Sequence, residues 1–214
     1  MKVKDGESKS RIFESVADVA AIFGSSVRLK ILYVLAQAPR SVDTLAELTG
    51  MSFANTSQHL QRLLHEGMVS AKKDKLSKIY RLQDESIALL IEGLFDLTEK
   101  LAPVQVDAHV TLLSVLWEIQ NHTAIMLDIR DDYEANQSPV VGALCIPLNI
   151  LREKAQALVK KKTYYIFCRG RACESAMEAV SILRSMGFEA FWLKESPAAI
   201  RNTMNPQEDR YDRA

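Results

Sequence analysis

The sequence predicts two domains of different class: a mainly helical α+β domain over residues 1–102, then an α/β domain with a parallel sheet over residues 103–214. Three observations predict this. Apolar residues recur at helical spacing through residues 12–65, the period shifts towards two between Met68 and Leu82, and beyond Pro103 strands alternate with helices. A chain of 214 residues, 48% hydrophobic, suffices for two domains of about 100 residues each.

Charge divides along the same line. Residues 1–83 hold 13 Lys or Arg against 8 Asp or Glu, which leaves 14 against 19 of the 27 of each sign for the remainder. The first part carries +5 and the second −5, so the first is the part expected to meet a polyanion. The amino terminus has no apolar signal core and no window approaches 18 apolar residues, so a cytoplasmic protein without a membrane partner is expected. Cys145, Cys168 and Cys173 lack CxxC spacing. That pattern argues against a disulfide framework and a zinc site, and no metal or cofactor is expected.

The apolar positions of residues 12–35 are interrupted at Gly24-Ser25-Ser26, where two helices meet. Ser41 caps a short helix closed by Gly50, and Ser52 caps a helix reaching about His65, with Gly67 just beyond its end. Residues 68–82 read as a hairpin whose tip carries Lys72, Lys73, Lys75 and Lys78. Residues 84–101 are too apolar for a lone surface helix, which suggests a dimer interface.

In the helix 52–65, placing Leu60 at the centre of the buried face brings Phe53, Leu63 and Leu64 beside it. Asn55, Gln58, His59 and Arg62 then point outward. Asn and Gln suit adenine, Arg suits guanine, and Thr56 or Ser57 can reach backbone oxygens. Ser52 and Ala54 complete the candidate contacts at the helix start, and the hairpin lysines suit phosphates or a minor groove.

The run Ser25 to Leu32, the stretch Ser52 to Leu64 with Ser57, His59 and Leu60, and Gly67-Met68-Val69 together resemble the ArsR family of winged helix-turn-helix repressors over residues 12–100. The resemblance implies a homodimer, paired through its first and last helices, on a double-stranded operator. Metal-sensing members place Cys, or Asp and His, at Leu45 to Leu48 or Asp84 to Glu99. Neither stretch here has Cys or His, so a soft-metal site is not expected.

In the second domain, helices are expected near 108–120, over 148–160 and near 174–186, with strands at 124–128, 163–167 and 189–193. Residues 201–214 read as a frayed tail. Cys168 follows a strand directly and precedes a helix, with Arg169, Gly170, Arg171, Ala172 and Cys173 between. Amides and the helix dipole favour a thiolate or anion there, Arg169 and Arg171 would lower the Cys168 pKa, and Gly170 permits the tight turn. Phosphate, sulfur oxyanions or a persulfide all suit such a cradle. Cys145, in an apolar run, reads as a core residue.

Ile125 to Arg130 with Tyr133-Glu134, then Gly142-Ala143, Ile146-Pro147, Cys168 to Cys173 and Gly187-Phe188 resemble a single rhodanese domain over residues 107–200. The resemblance implies Cys168 as the sulfur-accepting nucleophile, Arg169 to Cys173 as the persulfide loop, and Asp128 and Arg130 chiefly as braces. Ser138-Pro139 replaces the usual Gly-His, and the family's closing Gly-Gly and Trp are replaced around Glu195-Ser196 and Ile200. Cys173 stands where many members have Arg, within reach of a disulfide or polysulfide bridge to Cys168.

Three functions follow as expectations. The first is a repressor whose rhodanese-like domain senses sulfane sulfur. The second is a sulfurtransferase with an auxiliary DNA-binding domain. The third is a small-oxyanion pocket, which Glu174 disfavours by placing a carboxylate where a second arginine would be needed.

Overall fold

A computed structural model describes residues 4–74, 77–101 and 109–205, and the chain divides into two compact units, Met1–Ile91 and Glu92–Ala214. The first unit holds α1 (Lys4–Phe23), α2 (Ser26–Leu35), β1 (Arg40–Ser41), α3 (Val42–Thr49), α4 (Phe53–His65), β2 (Val69–Asp74) and β3 (Ser77–Leu82). Helix α5 (Ser86–Leu101) begins in the first unit and ends in the second, so the division falls ahead of the boundary expected at residue 102.

Local chemistry sets these boundaries. The hydroxyls of Ser25, Ser41 and Ser52 accept from the amides of Arg28, Thr44 and Asn55, satisfying donors that each helix start leaves free. Arg28 donates from Nε to the Ile22 carbonyl at 2.7 Å and from Nη2 to the Ala21 carbonyl at 2.8 Å, closing the end of α1. Ile31 and Leu32 of α2, Leu45 of α3, and Leu60 and Leu63 of α4 are fully buried and form the core that holds α4 in place. The small sheet is antiparallel in the order β1-β3-β2. Strand β1 was not expected: Arg40 and Ser41 pair with Tyr80 and Ile79 while Ser41 also caps α3.

The second unit continues with β4 (His109–Val110), α6 (Leu112–Gln120), β5 (Ala124–Asp128), α7 (Asp132–Gln137), β6 (Leu144–Cys145) and α8 (Leu148–Lys154). A single 3-10 turn, Ala155–Ala157, leads to β7 (Thr163–Phe167), α9 (Ser175–Ser185), β8 (Glu189–Leu193) and α10 (Pro197–Met204). All five strands are parallel, in the order β4-β8-β7-β5-β6. Central β7 is buried on both faces: Tyr164 and Ile166 pack with Leu151 and Ala179, and Tyr165 and Phe167 with Val115 and Ile200. The loop that begins at Cys168 therefore leaves from the central strand of the sheet.

Three expectations change. Residues 201–204 complete α10, which Ser196 caps by accepting from the Ala199 amide, instead of fraying; the rest of the expected tail lies outside the described residues. The helix expected over 148–160 yields to the 3-10 turn after Lys154. Cys145 is exposed, because β6 is a two-residue strand at the edge of the sheet that, among the described residues, pairs with β5 alone.

Candidate functional sites

Helix α4 presents Asn55, Gln58 and Arg62 to solvent, with Ser52 and Ala54 exposed at its start and Ser57 and His59 half-buried. Thr56 differs from expectation. It is buried, and its hydroxyl donates to the Ser52 carbonyl at 3.0 Å, so it braces the turn instead of facing outward. Phe53 differs in the opposite sense, being 55% exposed at the start of the helix. Arg62 pairs with Glu66 at 2.7 Å on the surface. Exposed pairs of this kind contribute little, so the guanidinium can be surrendered to a stronger anionic partner.

Along the hairpin, Lys72, Lys73 and Lys78 are exposed, whereas Lys75 lies outside the described residues. Lys73 stands directly opposite Lys78 across the strands. Facing like charges are unfavourable in an isolated hairpin and become favourable beside a polyanion. Substituting Lys73 and Lys78 by alanine is expected to reduce the slope of log affinity for DNA against log salt by about one per lysine, without lowering thermal stability. Salt titrations read by fluorescence anisotropy check this.

In the second unit the loop after β7 brings two thiols together. Cys168 and Cys173 are both buried, and their Sγ atoms lie 2.8 Å apart. Gly170 takes φ +101°, a conformation open to glycine, and a Cβ there would meet Glu92 Oε1 at 3.1 Å and Ser196 Cβ at 3.2 Å. The Cys173 amide donates to the Gly170 carbonyl at 3.1 Å, folding the loop back on itself. Ala172 is exposed on the outer side.

Arg169 binds the sulfurs together. Its Nη1 lies 3.7 Å from Cys168 Sγ and 3.8 Å from Cys173 Sγ, while its Nε pairs with Glu134 at 2.8 Å and its Nη2 approaches Asp131 at 3.7 Å. Arg171, expected to lower the Cys168 pKa, is turned away from both thiols. Its Nη1 donates to Glu99 at 2.8 Å and its Nη2 to Asp96, both on α5. Lys194 reaches the same Glu99 oxygen at 3.2 Å.

The thiols do not titrate alike. Its hydrogen bond with Cys168 holds Cys173 well below the ordinary thiol value; burial opposes this, and the Arg169 amide with the Ser175 hydroxyl and amide reinforces it. Cys168 is pushed up, first by its hydrogen bond with Cys173 and then by burial. These shifts favour the negative charge of the reduced pair on Cys173, just ahead of α9. Sequence reasoning missed Glu134 as the holder of Arg169, as well as Asp131, Ser175, Asp96 and Glu99. Glu134 was visible two residues beyond the acidic segment after β5; the acids on α5 carried no local signal.

Asp128 and Arg130 form a buried pair, with Arg130 Nη2 2.6 Å from Asp128 Oδ2 and also donating to the Ser138 carbonyl at 2.9 Å. Neither touches a thiol in these contacts, consistent with a brace. Arg130→Ala leaves a carboxylate buried without its partner and is expected to cost about 3–5 kcal/mol. The thermal midpoint should then fall by about 10 °C or more in circular dichroism. Among the described residues no group of three or more His, Cys, Asp or Glu is placed to hold a metal ion, and no helix is long and apolar enough to cross a membrane.

A winged helix-turn-helix followed by a thiol-bearing α/β domain of rhodanese type defines a transcriptional regulator with a rhodanese-like second domain. Residues 25–71 match the family described as bacterial regulatory protein, arsR family, and residues 112–202 match the rhodanese-like domain. The HTH-type transcriptional regulator Rv0324 of Mycobacterium tuberculosis is 30% identical over 195 residues, covering 86% of this chain and 85% of the relative. The chain belongs to the ArsR family of transcriptional regulators and carries a rhodanese-like domain.

Two further likenesses cover less of the chain. The HTH-type transcriptional regulator YgaV of Escherichia coli is 32% identical over 82 residues, covering 38% of this chain and 83% of the relative. A solved homodimeric winged helix-turn-helix domain, Mb0332 of Mycobacterium bovis, is 30% identical with a TM-score of 0.42, covering 47% of this chain and 94% of that one.

Proposed function

We propose that this regulator is a dimeric operator-binding repressor of the cytosol whose loop dithiol takes up sulfane sulfur and thereby alters its affinity for DNA. The observation that carries the reading is the pair of buried thiols 2.8 Å apart at the start of α9. A sulfur atom delivered to one is immediately within reach of the other, so persulfide, disulfide and bridged polysulfide states are all accessible without large movement.

The dimer is supported by α1, where Ile12, Phe13, Val16 and Val19 stand exposed at helical spacing, an apolar stripe that water does not favour. DNA contact is supported by the exposed Asn55, Gln58 and Arg62 and by the facing lysines of the hairpin. Coupling requires that the sulfur-loaded loop favour one of two arrangements of the dimer.

Sustained enzymatic sulfur transfer is less well supported, because Cys168 is only 1% exposed and both loop arginines are paired with carboxylates. The test is an anisotropy titration of a duplex from the protein's own upstream region, with and without inorganic polysulfide, for the native protein and for Cys168→Ser/Cys173→Ser. Weakened binding confined to the native protein supports the reading. Equal weakening in the double variant, or none in either, overturns it.

A further inference from the structure

The charges around the dithiol select among sulfur donors. Arg169 is neutralised by Glu134 at 2.8 Å with Asp131 at 3.7 Å, and Arg171 by Glu99 at 2.8 Å together with Asp96. Lys194 is drawn onto Glu99 at 3.2 Å. Burial pushes the nearby Glu92 and Glu195 carboxyls up, a sign that this side of the loop already resists further negative charge. The Cys173 sulfur also lies against that of Cys168, 2.8 Å away.

We propose that the loop accepts sulfur from small inorganic hydrogen polysulfides and refuses thiosulfate, with Cys173 as the entering nucleophile, because carboxylates on α5 and around α7 hold both loop arginines. The inference rests on the sulfur-uptake reading above and narrows its donor.

The two donors ask different things of the site. With hydrogen disulfide, the Cys173 thiolate attacks one sulfur, a Sγ–S bond forms as the donor's S–S bond breaks, and hydrosulfide leaves with the electron pair: Cys–S⁻ + HSSH gives Cys–S–SH + HS⁻. One negative charge is present throughout, and Arg169 spans the place where it moves. With thiosulfate, Cys–S⁻ + SSO₃²⁻ gives Cys–S–S⁻ + SO₃²⁻. Three negative charges must then be gathered and a dianion expelled, which calls for cations that are not already paired. Cys173 is also the more open residue, 8% exposed against 1% for Cys168, which favours it as the point of entry for a two-atom donor.

The same pairings predict how the preference can be moved. Asp96→Asn/Glu99→Gln releases Arg171 from both carboxylates and leaves its charge available to a dianion beside the loop.

Trypsin separates the two thiols, since Thr163–Arg169 carries Cys168 and Ala172–Arg184 carries Cys173. Reduced full-length protein is treated with equal concentrations of disodium disulfide or thiosulfate, quenched by alkylation and read by mass spectrometry of these peptides. Disulfide is expected to load Cys173 about tenfold faster than thiosulfate or more, and Asp96→Asn/Glu99→Gln to narrow that ratio at least about threefold. Should the double variant fail to fold, Glu99→Gln alone is read for the same narrowing.

Thiosulfate loading as fast as disulfide in the native protein, or a ratio unmoved in the folded variant, overturns the proposal. Operator binding in the same samples keeps the two readings apart. Preferential loading of Cys173 without DNA release removes the regulatory reading and leaves the donor preference standing. DNA release with equal loading by both donors does the reverse.

Discussion

Cys173→Ser is expected to slow sulfur capture at the loop by about a hundredfold or more, whereas Cys168→Ser slows capture on Cys173 by no more than about tenfold and abolishes the bridge between the two. The asymmetry follows from the proton. The hydrogen bond between the two thiols, with Ser175 and the Arg169 amide beside it, holds the Cys173 thiol low and so favours the nucleophilic form on Cys173. Cys168→Ser keeps a hydroxyl donor and so preserves part of this stabilisation; Cys173→Ser removes the thiolate itself.

The pH profile carries the same asymmetry with a definite sign. A thiol held below its ordinary value of 9.0 is ionised throughout neutral pH, so capture on Cys173 should be nearly flat from pH 6 to pH 8 and fall only in more acid solution. A group with an unperturbed thiol pKa would gain about a hundredfold over the same interval. Stopped-time alkylation with peptide mass spectrometry distinguishes the two. A rate climbing tenfold per pH unit would assign the reactive proton to Cys168.

Asn55→Ala/Gln58→Ala/Arg62→Ala is expected to weaken specific operator binding by about a thousandfold or more while leaving binding to unrelated DNA nearly unchanged. Each side chain stands exposed on α4, and each well-placed base contact is worth about 1–3 kcal/mol. Leu60 and Leu63 on the opposite face stay buried, so the variant keeps its fold. Anisotropy with specific and scrambled duplexes checks this. Undiminished specific binding would move the reading surface elsewhere, with exposed Phe53 the first place to look.

Much of this architecture was legible because local chemistry and tertiary packing agree. Ser25, Ser41 and Ser52 mark helix starts by the bonds they accept, and Gly50 and Gly67 mark ends by taking φ +70° and +69°. The strands 124–128, 163–167 and 189–193 were read to the residue, since each is a short apolar run buried on both faces. Where the reading failed, a partner distant in sequence decided the outcome. Thr56 is buried by packing that a polar residue type does not announce, and Cys145 is exposed because its strand is an edge.

The loop shows the same division. Its cysteines, glycine and arginines were visible as a string, but the direction of Arg171 was not. That side chain answers to Asp96 and Glu99, more than seventy residues earlier. The departures from the rhodanese pattern also have structural uses. Ser138 accepts from Arg130 and Arg201, the Glu195 side chain accepts from the Leu112 amide, and Ser196 caps α10.

The most direct test of the central claim is a mobility shift of the protein on its own upstream DNA before and after inorganic polysulfide, with Cys168 and Cys173 read by mass spectrometry in the same sample. Loss of the shifted complex in step with sulfur appearing at the loop is the expected result. A complex that persists while the loop is fully modified would contradict it.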